Sequence, residues 1–139
     1  METHYNISDN DFENQLANCT LDPSIFSHEA HLRLAWIHIK KYGIDQAVEN
    51  IQSQLKKFVA HVGATDKYNT TLTIVAVRAV DHFIKKSNHA DFQTFTAAFP
   101  KLKSDFKSLI NSHYSFDIFE NEKARKKFLE PDLNPMGLK

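Results

Sequence analysis

Ser27-His28-Glu29-Ala30-His31-Leu32-Arg33-Leu34-Ala35-Trp36-Ile37-His38-Ile39-Lys40-Lys41-Tyr42-Gly43 is the stretch whose periodicity decides the fold. It opens on a serine, whose side-chain oxygen can accept from an orphan N–H of the first helical turn, and closes on a glycine, the residue best able to leave a helix. At about 100° per residue, Leu32, Ala35, Trp36, Ile39 and Tyr42 form one stripe, while Leu34 and Ile37 add apolar surface on the far side. Only Glu29, Arg33 and Lys40 are left for a narrow charged strip. A helix over 28–42 with so little polar surface is expected to be surrounded on most sides.

Working outward, Asp9 to Ala17 reads as a short helix carrying Phe12 and Leu16, and Asp22-Pro23 as a cap with proline at the first helical position. Downstream, Asp45 is the expected cap of a third helix reaching Val62, with Val48, Ile51, Leu55, Phe58 and Val62 at steps of three and four. Gly63 stops it. Asn69 or Thr70 then caps a fourth helix to about Ser87, whose expected buried arc is Leu72, Ala76, Val80, Phe83 and Ile84. A shorter helix from Asp91 carries Phe92, Phe95 and Phe99 and ends at Pro100. A sixth carries Leu102, Phe106, Leu109 and Ile110. Ser115 to Leu129 has room for one or two short helices, and Pro131 and Pro135 impose an extended tail.

Composition agrees. The 139 residues are 42% hydrophobic, with 11 Phe but only 3 Gly and 4 Pro, and no stretch alternates as a half-buried strand would. The expectation is an all-α, compact single-domain bundle of about six or seven helices over residues 1–139. Lys+Arg and Asp+Glu are equal at 17, which argues against nucleic acid and anionic membrane as partners. No apolar run approaches the ~20 residues that span a bilayer, and the first residues lack a secretory pattern. Cys19 is the sole cysteine, read as a buried, inert thiol in a reducing compartment. A cytoplasmic, unprocessed protein is expected.

Polar residues on apolar faces locate the candidate site. Short interhelical loops imply antiparallel neighbours, which would run the second and fourth helices parallel, with their N-termini at one end. There His28 and His31, three residues apart, are expected to point inward side by side, and Asn69 and Thr73 to fall within the fourth helix's arc. Each pair also has a purely structural reading, with Asn69 as cap, Thr73 bonded back to a carbonyl and the histidines hydrogen-bonded in the core. Helix N-termini favour neutral imidazole, the form that binds metal or acts as a base. A divalent metal, zinc or iron, would need further ligands beyond His28 and His31, for which His113, Asp81, His82 and Asp132 are candidates. His38, His61 and His89 read as surface or rim residues, and no Glu-x-x-His signature of a dimetal bundle occurs.

Phe26-Ser27-His28-Glu29-Ala30-His31-Leu32-Arg33-Leu34-Ala35-Trp36, Lys67-Tyr68-Asn69-Thr70-Thr71-Leu72-Thr73, Tyr114-Ser115 and Ala124-Arg125-Lys126-Lys127-Phe128-Leu129-Glu130-Pro131-Asp132-Leu133-Asn134-Pro135 together resemble a widespread family of small, uncharacterised bacterial proteins. The likeness covers most of the chain. It implies a site at these segments and names no reaction. In that family the second segment reads Tyr-His-x-Thr-x-Thr, so Asn69 stands where the family carries a third histidine, and a metal site here would be weakened or differently occupied.

Two functions remain open. One is a His-lined pocket for a small molecule or metal, in an enzyme or a binding protein, in which Asn69 and Thr73 orient the bound group and Tyr114 and Arg125 close the site, Arg125 facing a carboxylate or phosphate. Arg125 also fits an ordinary surface position in the basic run 123–127. The other is a noncatalytic interaction or homodimerising module, and the absence of a nucleophile motif, phosphate loop or paired catalytic carboxylates suits it.

Overall fold

A computed structural model describes residues 3–133, and among them every regular element is helical. Among the described residues there are eight α-helices: α1 (Asp9–Ala17), α2 (His28–Tyr42), α3 (Ile44–His61), α4 (Thr70–Ile84), α5 (Phe92–Ala98), α6 (Lys101–Ser104), α7 (Phe106–Asn111) and α8 (Glu122–Lys126). Three 3₁₀ turns, Thr3–Asn6, Pro23–Ile25 and Thr65–Lys67, join them. The all-α expectation holds, with 68% helix and no strand among the described residues. No helix among them is long and apolar enough to cross a membrane.

The chain divides into two compact units, Met1–Tyr68 and Asn69–Lys139. In the first, α2 and α3 form a tight hairpin against which α1 packs. Its start is set by Ser27, whose Oγ accepts from the Ala30 amide at 3.2 Å, and its end by Gly43 at φ +85°. Leu32, Leu34, Ala35, Trp36, Ile37 and Ile39 are all buried, so α2 is enclosed on most sides as its sequence predicts. Each of the leucines and isoleucines contributes about 1.5–3 kcal/mol if fully withdrawn from water.

Several boundaries depart from the sequence reading. Asp45 does not cap α3; Gly43 is both the last residue past α2 and the cap of α3, so the hairpin turns on one glycine without a side-chain cap. The expected sixth helix is broken at Asp105, φ −137° and ψ 32°, into α6 and α7, and Pro100 opens α6 as well as following α5. Of Ser115–Leu129 only α8 is helical, capped by Asn121. α4 stops at Ile84 rather than Ser87, and its buried face is Thr71, Ile74, Val75, Val77, Ala79 and Val80. The packed face includes Thr71, a small polar residue that is fully buried, and Leu72, Ala76, Phe83 and Ile84 are only half-buried. Cys19 is half-buried and left-handed at φ 60°, not a core thiol. Pro135 lies outside the described residues.

In the second unit α8 packs on α4, and residues 127–133 follow it as a strap without helical structure. Thr71 Oγ1 donates to the Lys127 carbonyl at 2.8 Å and accepts from the Leu129 amide at 3.0 Å. The Leu129 carbonyl accepts from Tyr114 OH at 2.6 Å, and the Leu133 amide donates to the His113 carbonyl at 3.0 Å. Asp132 closes the series by accepting from the Ser115 amide at 2.8 Å and from the Ser115 hydroxyl.

Candidate functional site

The sequence candidates divide between the units, His28 and His31 in the first and Asn69, Thr73, Tyr114 and Arg125 in the second. Both histidines lie in the first turn of α2, and both are exposed. The expectation that they point inward is overturned: the inward positions of that turn go to Glu29 and Ala30. His31 is nonetheless firmly placed. Its Nδ1 lies 2.9 Å from the Ser27 carbonyl, a geometry in which Nδ1–H donates, and its ring stacks on Phe26 at 3.8 Å and 22°. Phe26 in turn meets the buried Phe58 edge-on at 5.4 Å, which ties the stack to the core.

Locking the proton on Nδ1 leaves Nε2 as the lone-pair nitrogen, the tautomer in which metal-binding and basic histidines are held by backbone carbonyls. Desolvation by surrounding protein lowers the His31 pKa to about 4, with the Ser27 bond opposing and His28 adding to the fall. The imidazole is therefore neutral at pH 7.

Asn69 and Thr73 follow the structural reading. Asn69 Oδ1 caps α4 by accepting from the Leu72 amide at 2.9 Å, and its Nδ2 donates to the Ile118 carbonyl at 2.8 Å. Thr73 Oγ1 donates back to the Asn69 carbonyl at 2.8 Å. Tyr114 is buried and donates to the strap; desolvation, with Glu130 nearby, raises its pKa to about 12, so it remains a proton donor. Arg125 is half-buried on α8. No group of three or more His, Cys, Asp or Glu among the described residues could hold a metal ion, so His113, Asp81, His82 and Asp132 do not complete a metal centre with one another or with His28 and His31.

The charged strip of α2 is corrected as well. Glu29 and Arg33 are each 5% exposed. Arg33 donates to the carbonyls of His4 at 2.6 Å and Ile7 at 2.7 Å and to Asp9 Oδ1 at 2.8 Å, with its guanidinium carbon 4.9 Å from the Phe12 ring centre. Glu29 accepts from Tyr5 OH at 3.3 Å and pairs with Nε2 of the fully buried His4 at 3.1 Å. This clamp holds the N-terminal turn onto α2. The sequence signal was present in Arg33, which has apolar neighbours on both sides, but nothing marked His4 as its partner.

His38, expected at the rim, is fully buried. Thr71, which the sequence reading passed over, is the polar residue that holds the strap. Compared with protein-family models, with curated proteins and with solved structures, the chain matches none.

Proposed function

We propose that the first turn of α2 is a ligand-binding site in which His31, with His28 beside it, offers a neutral imidazole to a divalent metal ion such as zinc or iron, or to the acidic hydrogen of a small molecule. The observation that carries the reading is the 2.9 Å bond from His31 Nδ1 to the Ser27 carbonyl, which commits Nε2 as the accepting nitrogen on an exposed, core-anchored ring. Two imidazoles leave most of a metal's coordination positions to the incoming ligand or water, an arrangement suited to a substrate-bearing ion rather than a structural one. Zinc titration followed on the histidine ring resonances tests it. His31 and His28 should shift first among the 8 histidines, and His31→Ala should weaken binding by about tenfold or more. Zinc binding of equal affinity in wild type and His31→Ala would discard the site.

The second reading, a noncatalytic interaction or self-associating module, is favoured by a different observation. Asn69, Thr73 and Tyr114 each spend their polar atoms on structural hydrogen bonds. A concentration-dependent dimer whose affinity ignores His28 and His31 would support it. We further propose kinship with the small bacterial proteins the chain resembles, and with it a cytoplasmic setting. The supporting point is that the segments at 69–73, 114–115 and 127–133 carry one hydrogen-bond network.

A further inference from the structure

We propose that His38 is an acid-responsive switch, a buried neutral imidazole whose protonation loosens the seam between α2 and α3 and the bridge that ties α1 to the end of α2. The argument rests on where its two nitrogens can send or receive a proton. His38 is fully buried, and Nδ1 lies 3.4 Å from Asn50 Nδ2 on α3, an amide nitrogen that can only donate. Asn50 Oδ1 accepts from Gln46 Nε2 at 2.7 Å, which turns Nδ2 toward His38. The relay therefore makes Nδ1 an acceptor and places the ring proton on Nε2, which has no hydrogen-bond partner among the described residues.

A second proton has to go onto Nδ1. It then faces the Asn50 amide hydrogens, so the relay breaks or both amides invert, and a cation is left in a buried place with an unpartnered Nε2–H. From α1 the facing group is the Glu13 carboxylate, which favours the cation. From α2 they are Lys41, which opposes it, and Tyr42, whose ring lies 5.3 Å away. Glu13 is already engaged: it accepts from Lys41 at 2.7 Å and from Tyr42 OH at 2.5 Å. Burial raises its pKa, but the Lys41 and Tyr42 bonds outweigh that and hold it below the ordinary glutamate value. To serve His38 as counter-ion it would have to leave those partners, which are the bridge between α1 and α2. From α3 the facing group is the uncharged Asn50 amide.

Desolvation dominates and lowers the His38 pKa, Glu13 notwithstanding. The sign follows. A base with its folded pKa below its unfolded value gives stability that is complete above the unfolded value, near 6.5, and that is lost as pH falls from there toward the folded pKa. Trp36, the single tryptophan, lies on the same helix and is 6% exposed, so its emission reports the seam.

The test is urea unfolding of the full chain followed by Trp36 emission, from about pH 7.5 to about pH 5, for wild type and His38→Gln, which keeps a polar side chain that can donate and accept but cannot titrate. In wild type the unfolding equilibrium constant should rise several-fold across this range, and the rise should shrink markedly in His38→Gln, leaving what the other buried histidines contribute. Equal pH slopes in the two proteins would overturn the proposal. Should His38→Gln fail to fold, direct titration of the His38 ring resonance in wild type decides the matter: a midpoint below 6.5 supports the switch, and one at or above 6.5 overturns it.

Discussion

Thr71, Arg33 and Tyr114 show how much one polar side chain can hold when it is buried. Thr71 satisfies two strap groups with a single hydroxyl, so Thr71→Val, which keeps the shape, leaves the Lys127 carbonyl and the Leu129 amide without their partner. We expect a loss of about 1–3 kcal/mol in urea unfolding, with Thr73→Ala, on the half-buried side of α4, costing well under half of that. Arg33→Lys should cost about 2 kcal/mol in the same measurement, since an ammonium cannot span the His4 and Ile7 carbonyls and Asp9 together. Tyr114 makes a prediction at the alkaline end. Its folded pKa is raised to about 12 against an ordinary 10.0, so the stability its phenol lends the strap is complete below 10 and lost as pH climbs toward 12. Absorbance titration of phenolate formation should show a transition near 12 that disappears in Tyr114→Phe. The partners of these three side chains were not legible from residue type. A buried threonine that serves a strap, an arginine within an apolar stripe and a tyrosine bonded to a distant carbonyl differ from their exposed counterparts only through residues far away in sequence.

Helices were legible where caps and period agreed. Asp22, Ser27, Asn69 and Asp91 each accept from a first-turn amide, as do Ser8 and Asn121, which the sequence reading did not single out, and α1 and α2 span the residues their periodicity delimits. The reading failed where one backbone residue serves two elements. Gly43 is such a residue, ending α2 and starting α3 at φ +85° and ψ 165°, a region essentially reserved for glycine. A Cβ there would meet nothing within 4 Å, so the cost of Gly43→Ala is backbone strain alone. We expect about 1–3 kcal/mol by thermal or urea unfolding. An unchanged stability in Gly43→Ala would show that the turn adopts another conformation. Amphipathic projection also misplaced the inner face of α4, since Thr71 reads as polar and was excluded from the stripe it belongs to.

Charge is distributed unevenly over the molecule despite the balanced total. Residues 1–68 carry 6 Lys+Arg against 9 Asp+Glu, and residues 69–139 carry 11 against 8. The zero net charge that argued against polyanions therefore averages an acidic unit and a basic one. The candidate site was legible as two clusters of residue types, His28 with His31 and Asn69 with Thr73. Their solvent exposure and their partners were not, because helical projection assigns a face and leaves open whether that face is covered. Far-UV circular dichroism of the whole chain should give a dominantly helical spectrum, and strand content near the ~20–25% of average domains would contradict the fold.

The strap also sets an order of events during synthesis. The Arg33 clamp reaches back to residues 4–9, so its partners have already been synthesised when Arg33 is added. Thr71 and Tyr114 instead look forward, to Lys127 and Leu129, and stay hydrated until those residues are translated. The first unit is thus able to close its polar contacts on a nascent chain, whereas α4 has to wait for sequence more than fifty residues downstream. A stalled or prematurely ended chain would present that unfinished surface to the cell's proteases and chaperones.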